Sequence, residues 1–205
     1  RGKPEAVDMY MMYAKSYYNT KQYFAAGYQF DNFASSYPRS EMAAEASFLA
    51  AKSYSKLSPV YSLDQIDTEK AIDKFQTFID RYPTSEYVEE ANVSVKALRE
   101  KVEKKVFEVA KGYHKIMDYK AAIVALDNFV ADYPGTPYKE EALFYKFDSA
   151  YLLAMNSIQS KKEERLNSAK VAYRSLAKFK EDTKYKEDAA KMLSKIDLEL
   201  KQFSK

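Results

Sequence analysis

Phe78-Ile79-Asp80-Arg81-Tyr82-Pro83-Thr84-Ser85-Glu86-Tyr87-Val88-Glu89-Glu90-Ala91 is a phrase that this chain repeats. Its skeleton is an aromatic residue, then Tyr-Pro-x-Ser or Thr, then an acid-Ala pair. Phe33…Tyr37-Pro38-x-Ser40…Glu45-Ala46 is the copy before it, and Phe129…Tyr133-Pro134-x-Thr136…Glu141-Ala142 the copy after it. A worn fourth copy, Leu176…Glu181-x-Thr183…Asp188-Ala189, has lost the proline. Proline lacks an N–H and disfavours helical geometry in the residue before it, so each Tyr-Pro is expected to end a helix. The Ser or Thr two places on is expected to cap the next one. A phrase that returns in this way means stacked supersecondary units.

Upstream lies a second shared phrase, Ala-Lys-x-Tyr. It reads Ala14-Lys15-Ser16-Tyr17, Ala51-Lys52-Ser53-Tyr54 and Ala110-Lys111-Gly112-Tyr113. A small residue follows on the partner helix: Ala26, Ala71, Ala122 and Ala169. Large apolar residues stand four and seven places after each: Phe30 and Phe33, Phe75 and Phe78, Leu126 and Phe129, Tyr173 and Leu176. Spacing of four then three keeps them on one helical face.

A small residue on each of two antiparallel helices, locked by aromatics, resembles the tetratricopeptide repeat across nearly the whole chain. The resemblance implies an all-α, right-handed solenoid of antiparallel helix pairs over residues 1–205. Stacked pairs of this kind usually serve as surfaces for holding other proteins. The units exceed the ~34-residue standard, since Pro38, Pro83 and Pro134 fall 45 and 51 residues apart. Tyr17 to Ala26 and Tyr113 to Ala122 are both 9 apart, whereas Tyr54 to Ala71 is 17 and Tyr151 to Ala169 is 18. The second unit therefore holds an insert, Leu57 to Thr68, in which Pro59 breaks the helix and Asp67 or Thr68 is expected to cap the next. The fourth unit's extra residues, Asn156 to Asn167, have no breaker and are expected to lengthen helices. Val95, Leu98, Val102, Val106, Phe107 and Ala110 keep helical spacing without Gly or Pro. They predict one long helix, Thr84 to about Lys115, or two nearly coaxial ones, joining an N-terminal half (about 1–90) to a C-terminal half (about 110–205).

Composition narrows the function. Of 205 residues 46% are hydrophobic and 31% charged, with only 4 Gly and 6 Pro, which favours helix. The net charge of +3 is far from the strong basic excess of a nucleic-acid binder, and the lysine clusters alternate with glutamates. No cysteine is present, which excludes disulfides and thiolate chemistry within these residues. No stretch approaches the ~20 apolar residues of a membrane span. No Gly-rich phosphate loop and no metal-ligand spacing occurs, so no cofactor or metal is expected. Asp64, Asp67, Glu69 and Asp73 lack the glycine that a calcium loop requires and read as helix-capping residues. His114, the single histidine, has no local nucleophile or carboxylate partner in sequence. The chain therefore reads as a non-enzyme.

Lengthened units with Tyr-Pro-x-Ser phrases, and the long segment Leu98-Arg99-Glu100-Lys101…Lys105…Glu108-x-Ala110-Lys111-x-Tyr113, resemble the BamD family. That family comprises lipoproteins of the bacterial outer-membrane β-barrel assembly machine. Ser58-Pro59-Val60-Tyr61-Ser62-Leu63-Asp64-Gln65 followed by Thr68-x-x-Ala71-Ile72 looks like the Bacteroidetes-type version. The resemblance implies a scaffold on the periplasmic face of the outer membrane, anchored by a lipidated cysteine that would stand outside these residues. It further implies a BamA-like barrel subunit as partner, held mainly by the C-terminal repeats, and unfolded barrel clients received by the N-terminal ones. Competing readings are another periplasmic tetratricopeptide adaptor, tied to cell division or cell-wall synthesis, or a nutrient-uptake solenoid. Regular short units with an N-terminal heptad run would favour the first, and long loops with an aromatic sugar platform the second.

The first helix of each pair would line a concave groove. If Tyr17, Tyr54, Tyr113 and Tyr151 are equivalent, the lining is Met11 and Lys15, Phe48 and Lys52, Phe107 and Lys111, and Tyr145 and Ser149. Tyr18, Asn19 and His114 join it. Lysines for a carboxylate and rings for an apolar side chain suit an aromatic chain end. Pro59, Val60 and Tyr61, on a loop that no standard repeat needs, are candidates for partner contact.

Overall fold

The computed structural model describes residues 4–203, and those residues are helical with no strand among them. The chain divides between Val102 and Glu103 into two compact units. The first holds α1 (Pro4–Asn19), α2 (Tyr23–Ser36), α3 (Ala43–Ser55) and α4 (Ile66–Arg81). The helix α5 (Val88–Lys115), 28 residues long, runs through the division. The second unit continues with α6 (Tyr119–Asp132), α7 (Lys139–Met155), α8 (Gln159–Phe179) and α9 (Lys186–Leu200), closed by a 3-10 turn at Lys201–Phe203. Among the described residues no helix is long and apolar enough to cross a membrane.

Pairing follows the small residues. Ala14, Ala26, Ala51, Ala71, Ala110, Ala122 and Ala169 are buried, which lets the helix axes approach. In the first unit Met11, Phe30 and Phe33 form one cluster, and Phe48, Tyr54, Phe75, Phe78, Val95 and Leu98 another. In the second, Phe107, Leu126 and Phe129 form one, and Phe147, Leu166, Leu176 and Ile196 another. Each such side chain contributes roughly 1.5–3 kcal/mol when fully buried.

The four Tyr-Pro-type turns share one construction. The N–H of Tyr37, Tyr82 or Tyr133 donates to the carbonyl of Phe33, Phe78 or Phe129 and closes the helix before it. The hydroxyl of Ser40, Ser85, Thr136 or Thr183 then accepts from the N–H two residues on, at 3.2–3.4 Å. These hydroxyls were expected to sit at the helix N-cap. They stand ahead of it instead, in a tight hydroxyl turn, and Met42, Tyr138 and Tyr185 occupy the N-cap without a side-chain bond. For the same reason α5 begins at Val88, and Thr84 lies in the turn. Rings stack behind this turn: Tyr87 on Phe48, Tyr138 on Phe107 and Tyr185 on Phe144, with interplanar angles of 9°, 10° and 6°.

The inserts differ in kind. The fourth unit's extra residues lengthen α8 to 21 residues, against 14 in α2 and α6. The second unit's insert is an ordered loop between Ser55 and Ile66. Neither Asp67 nor Thr68 caps α4; Asp64 Oδ1 accepts from Ile66 N at 2.8 Å. Thr68 is buried and turned inward.

Candidate functional site

Each Ala-Lys-x-Tyr lysine reaches the acid-Ala glutamate of the next repeat. Lys15 Nζ meets Glu45 Oε1 at 2.6 Å and Lys52 Nζ meets Glu90 Oε1 at 2.7 Å in the first unit. Lys111 Nζ meets Glu141 Oε1 at 2.5 Å in the second. The two repeated phrases therefore encode the two ends of one ion pair, which ties α1 to α3, α3 to α5 and α5 to α7. The signal in the sequence is the recurrence of a lysine in one phrase and a glutamate in the other, 30 residues apart in the first and third pairs and 38 in the second.

Of the expected groove lining, Met11, Phe48, Phe107 and Ser149 are only 2%, 2%, 1% and 0% exposed. They belong to the helix-pairing cores and offer no binding surface. On a helix face shared with Ala14, Ala51 and Ala110, a residue three places before the alanine turns inward with it. In the fourth unit the ring that stacks on the turn is Phe144, one place before the expected Tyr145. Lys15, Tyr18, Asn19 and Lys52 in the first unit, and Lys111, His114 and Tyr145 in the second, keep part of their surface.

In the first unit Lys15, Tyr18 and Lys52 come together with Glu45 and Glu90. Burial pushes the Tyr18 phenol up, with Lys52 opposing and Tyr23 and Glu90 adding to the rise. Tyr18 and Tyr23 meet edge to face at 5.5 Å. Tyr87 borders both glutamates, and burial followed by Glu45 and Glu86 raises its phenol. A surface depression of about 450 Å³ reaches this acidic end, lined by Arg81, Tyr82, Pro83, Glu45 and Tyr87 among others. A larger one, about 780 Å³, follows the first turn along Val7, Tyr37, Pro38, Arg39 and Met42. Neither Arg39 nor Arg81 carried a motif that sequence reading could use.

In the second unit Lys111 Nζ lies 4.6 Å from the Tyr145 ring centre and 5.5 Å from that of Phe107. Burial pulls the Lys111 ammonium down, but Glu141, through hydrogen bond and charge, outweighs it and the net shift is upward. His114 Nε2 faces Asp148 Oδ2 at 3.3 Å, and Nδ1 is 3.0 Å from Ser149 Oγ. Burial raises the Asp148 carboxyl, with His114 opposing and Asp188 adding to the rise. This trio has the residue types of a hydrolase site, but the Ser149 hydroxyl is sealed from solvent and reaches no substrate. It binds α5 to α7. Among the described residues no cluster of three or more His, Cys, Asp or Glu could hold a metal.

The insert loop places Val60 outward but leaves Pro59 and Tyr61 half-buried. Its other exposed apolar groups are Leu63 and Ile66, which the expected set omitted.

Antiparallel helix pairs with small-residue contacts, repeated turns and an inter-repeat lysine–glutamate ladder define a tetratricopeptide-type repeat protein. A sequence profile of the outer membrane lipoprotein family YfiO matches residues 3–166, and again residues 103–202. The chain belongs to that family, in agreement with the resemblance carried by its Tyr-Pro phrases and long helix. It is also 26% identical over 163 residues to a protein of Caulobacter vibrioides, the outer membrane protein assembly factor BamD. That match takes in 80% of this chain and 52% of the relative, so the chain spans about half the length of the curated protein it matches.

Proposed function

We propose that this chain is a non-enzymatic scaffold of outer-membrane β-barrel assembly, acting at the periplasmic face of that membrane. It holds the periplasmic domains of a BamA-like barrel subunit and receives C-terminal segments of unfolded barrel clients. The observation that carries this reading is the lysine–glutamate ladder, Lys15–Glu45, Lys52–Glu90 and Lys111–Glu141, in a chain of the outer membrane lipoprotein family.

The ladder gives client capture a mechanism by exchange. A chain ending in an aromatic residue brings a carboxylate and a ring. The carboxylate takes the place of Glu90 on Lys52, and the ring lies against Tyr18. Exchange of one carboxylate for another costs little at this pair because the Glu90 side chain is 53% exposed.

Two measurements test it. Tagged protein is recovered from detergent-solubilised envelopes, and its companions are identified by mass spectrometry. The large barrel subunit is the expected companion, and division or cell-wall proteins in its place would overturn the partner assignment. Fluorescence anisotropy with a peptide ending in free-acid phenylalanine tests client capture. Glu90→Gln removes the competing carboxylate and is expected to tighten binding about threefold, while the amidated peptide does not respond. Equal binding of both peptides would sink the exchange mechanism.

A further inference from the structure

We propose that the insert between α3 and α4 is a preformed docking knob for a protein surface bearing an apolar pocket rimmed by lysine or arginine. Val60 and Leu63 on this insert, and Ile66 at the first position of α4, are 64%, 57% and 70% exposed, three aliphatic side chains within seven residues. A loop that merely bridged two helices would be expected to carry polar residues at such positions.

The loop is held from beneath. Gln65 is buried, and its Nε2 donates to the carbonyls of Val60 at 2.9 Å and Leu63 at 3.0 Å. Its Oε1 accepts from Thr68 Oγ1 at 2.8 Å. Thr68 Oγ1 lies 2.6 Å from Ser58 Oγ, and Lys101 Nζ on α5 donates to that same Ser58 oxygen at 2.7 Å. Leu63 N closes the turn on Val60 O at 3.1 Å. These bonds set the conformation of the aliphatic groups before any partner arrives, so little ordering entropy is lost on binding.

Charge decides the partner. Between Ser55 and Lys70 the charged residues are Lys56, Asp64, Asp67 and Glu69. Lys70 leans away over the Tyr54 ring, 4.0 Å from its centre. Asp67 and Glu69 also complement the positive end of α4, yet that role places no demand on Val60 or Leu63. An aliphatic knob framed by carboxylates is repelled by an anionic lipid surface and by a second copy of itself. It fits an apolar pocket with a cationic rim. The proposal rests on the scaffold reading only in taking the partner to be a protein.

Methyl NMR of the full 205-residue chain, labelled at Ile, Leu and Val, tests this. The probes are an amphipathic helical peptide of Leu and Lys, its Leu and Glu twin, and phosphatidylglycerol vesicles. The Leu/Lys peptide is expected to shift the Val60, Leu63 and Ile66 methyls. The triple variant Asp64→Asn, Asp67→Asn, Glu69→Gln should weaken that response about fivefold. The amide introduced by Asp64→Asn keeps an oxygen that accepts from Ile66 N, so the loop stays formed. Val60→Ser with Leu63→Ser should abolish the response, with circular dichroism confirming the fold. Three outcomes would each overturn the proposal: vesicles or the Leu/Glu peptide acting equally well, shifts spread evenly over the surface, or no response to any probe. Envelope recovery of the barrel subunit would stand unaffected, which separates this failure from failure of the scaffold assignment.

Discussion

Gly27 stands where α2 crosses the face of Tyr54. A Cβ at this position would lie 2.9 Å from Tyr54 Cζ and 3.0 Å from Cε2, closer than real contacts allow. The ring has little room to retreat. It is buried, its hydroxyl donates to Asp31 Oδ2 at 3.3 Å, and Lys70 covers one face. Burial and then Asp31 push its phenol up to about 12. Gly27→Ala is therefore expected to cost about 1–3 kcal/mol by overpacking, read from the urea midpoint at constant slope. Glu140 acts in the opposite sense. Its carboxylate accepts from Lys180 Nζ at 2.9 Å, Thr183 Oγ1 at 2.7 Å and Lys184 N at 3.0 Å. The Lys180 and Thr183 bonds lead in holding its pKa at about 2 rather than 4.5. A folded pKa below the unfolded one stabilises fully above pH 4.5 and loses that contribution as the pH falls towards 2. Urea midpoints measured from about pH 5 to 2.5 should fall less steeply in Glu140→Gln than in the parent; identical slopes would refute this.

At the scale of the element, one turn recurs with one ion-pair tie, and both can be dissected. Lys111 and Glu141 side chains are 15% and 26% exposed, Lys52 and Glu90 are 33% and 53%. Solvent screens the second pair more. Double-mutant cycles to alanine in urea are expected to give about 1 kcal/mol or more for Lys111–Glu141 and less than about 0.5 kcal/mol for Lys52–Glu90. Equal coupling would mean that burial does not govern the ladder. The helix ends, the pairing alanines and the long α5 were legible because proline, alanine and helical periodicity act locally. The lining was misassigned because periodicity tells which residues share a face, not whether the next helix covers it. Met11, Phe48 and Phe107 share the lysines' helix and turn towards the partner helix instead. Gln65 stood in the stretch that carries the resemblance, but its role was not legible there, because it depends on carbonyls of a loop whose path no local rule predicts.

At the scale of the molecule, two compact units meet within a single helix, between Val102 and Glu103. Each has its own buried aromatics, Phe30, Phe33, Phe75 and Phe78 in one, Phe107, Phe129 and Phe147 in the other. Native-state hydrogen exchange should therefore sort the slow amides into two classes with separate opening free energies, one per unit. A single class across both would show them to unfold as one. The repeats and a helix joining two halves were readable in sequence, whereas the point at which α5 divides was not, since it carries no Gly or Pro near Val102 to mark it. The fourth turn lacks its Tyr-Pro and is held by Glu140, a residue of α7 that precedes its own helix pair's second member. For anyone building chimaeras, the first three turns carry a proline as their own hinge pin, beside the ring and lysine contacts each makes with a helix upstream. The last one borrows its pin from the helix upstream, so grafting α8 and α9 onto another array without α7 would transplant a joint with its fastening left behind.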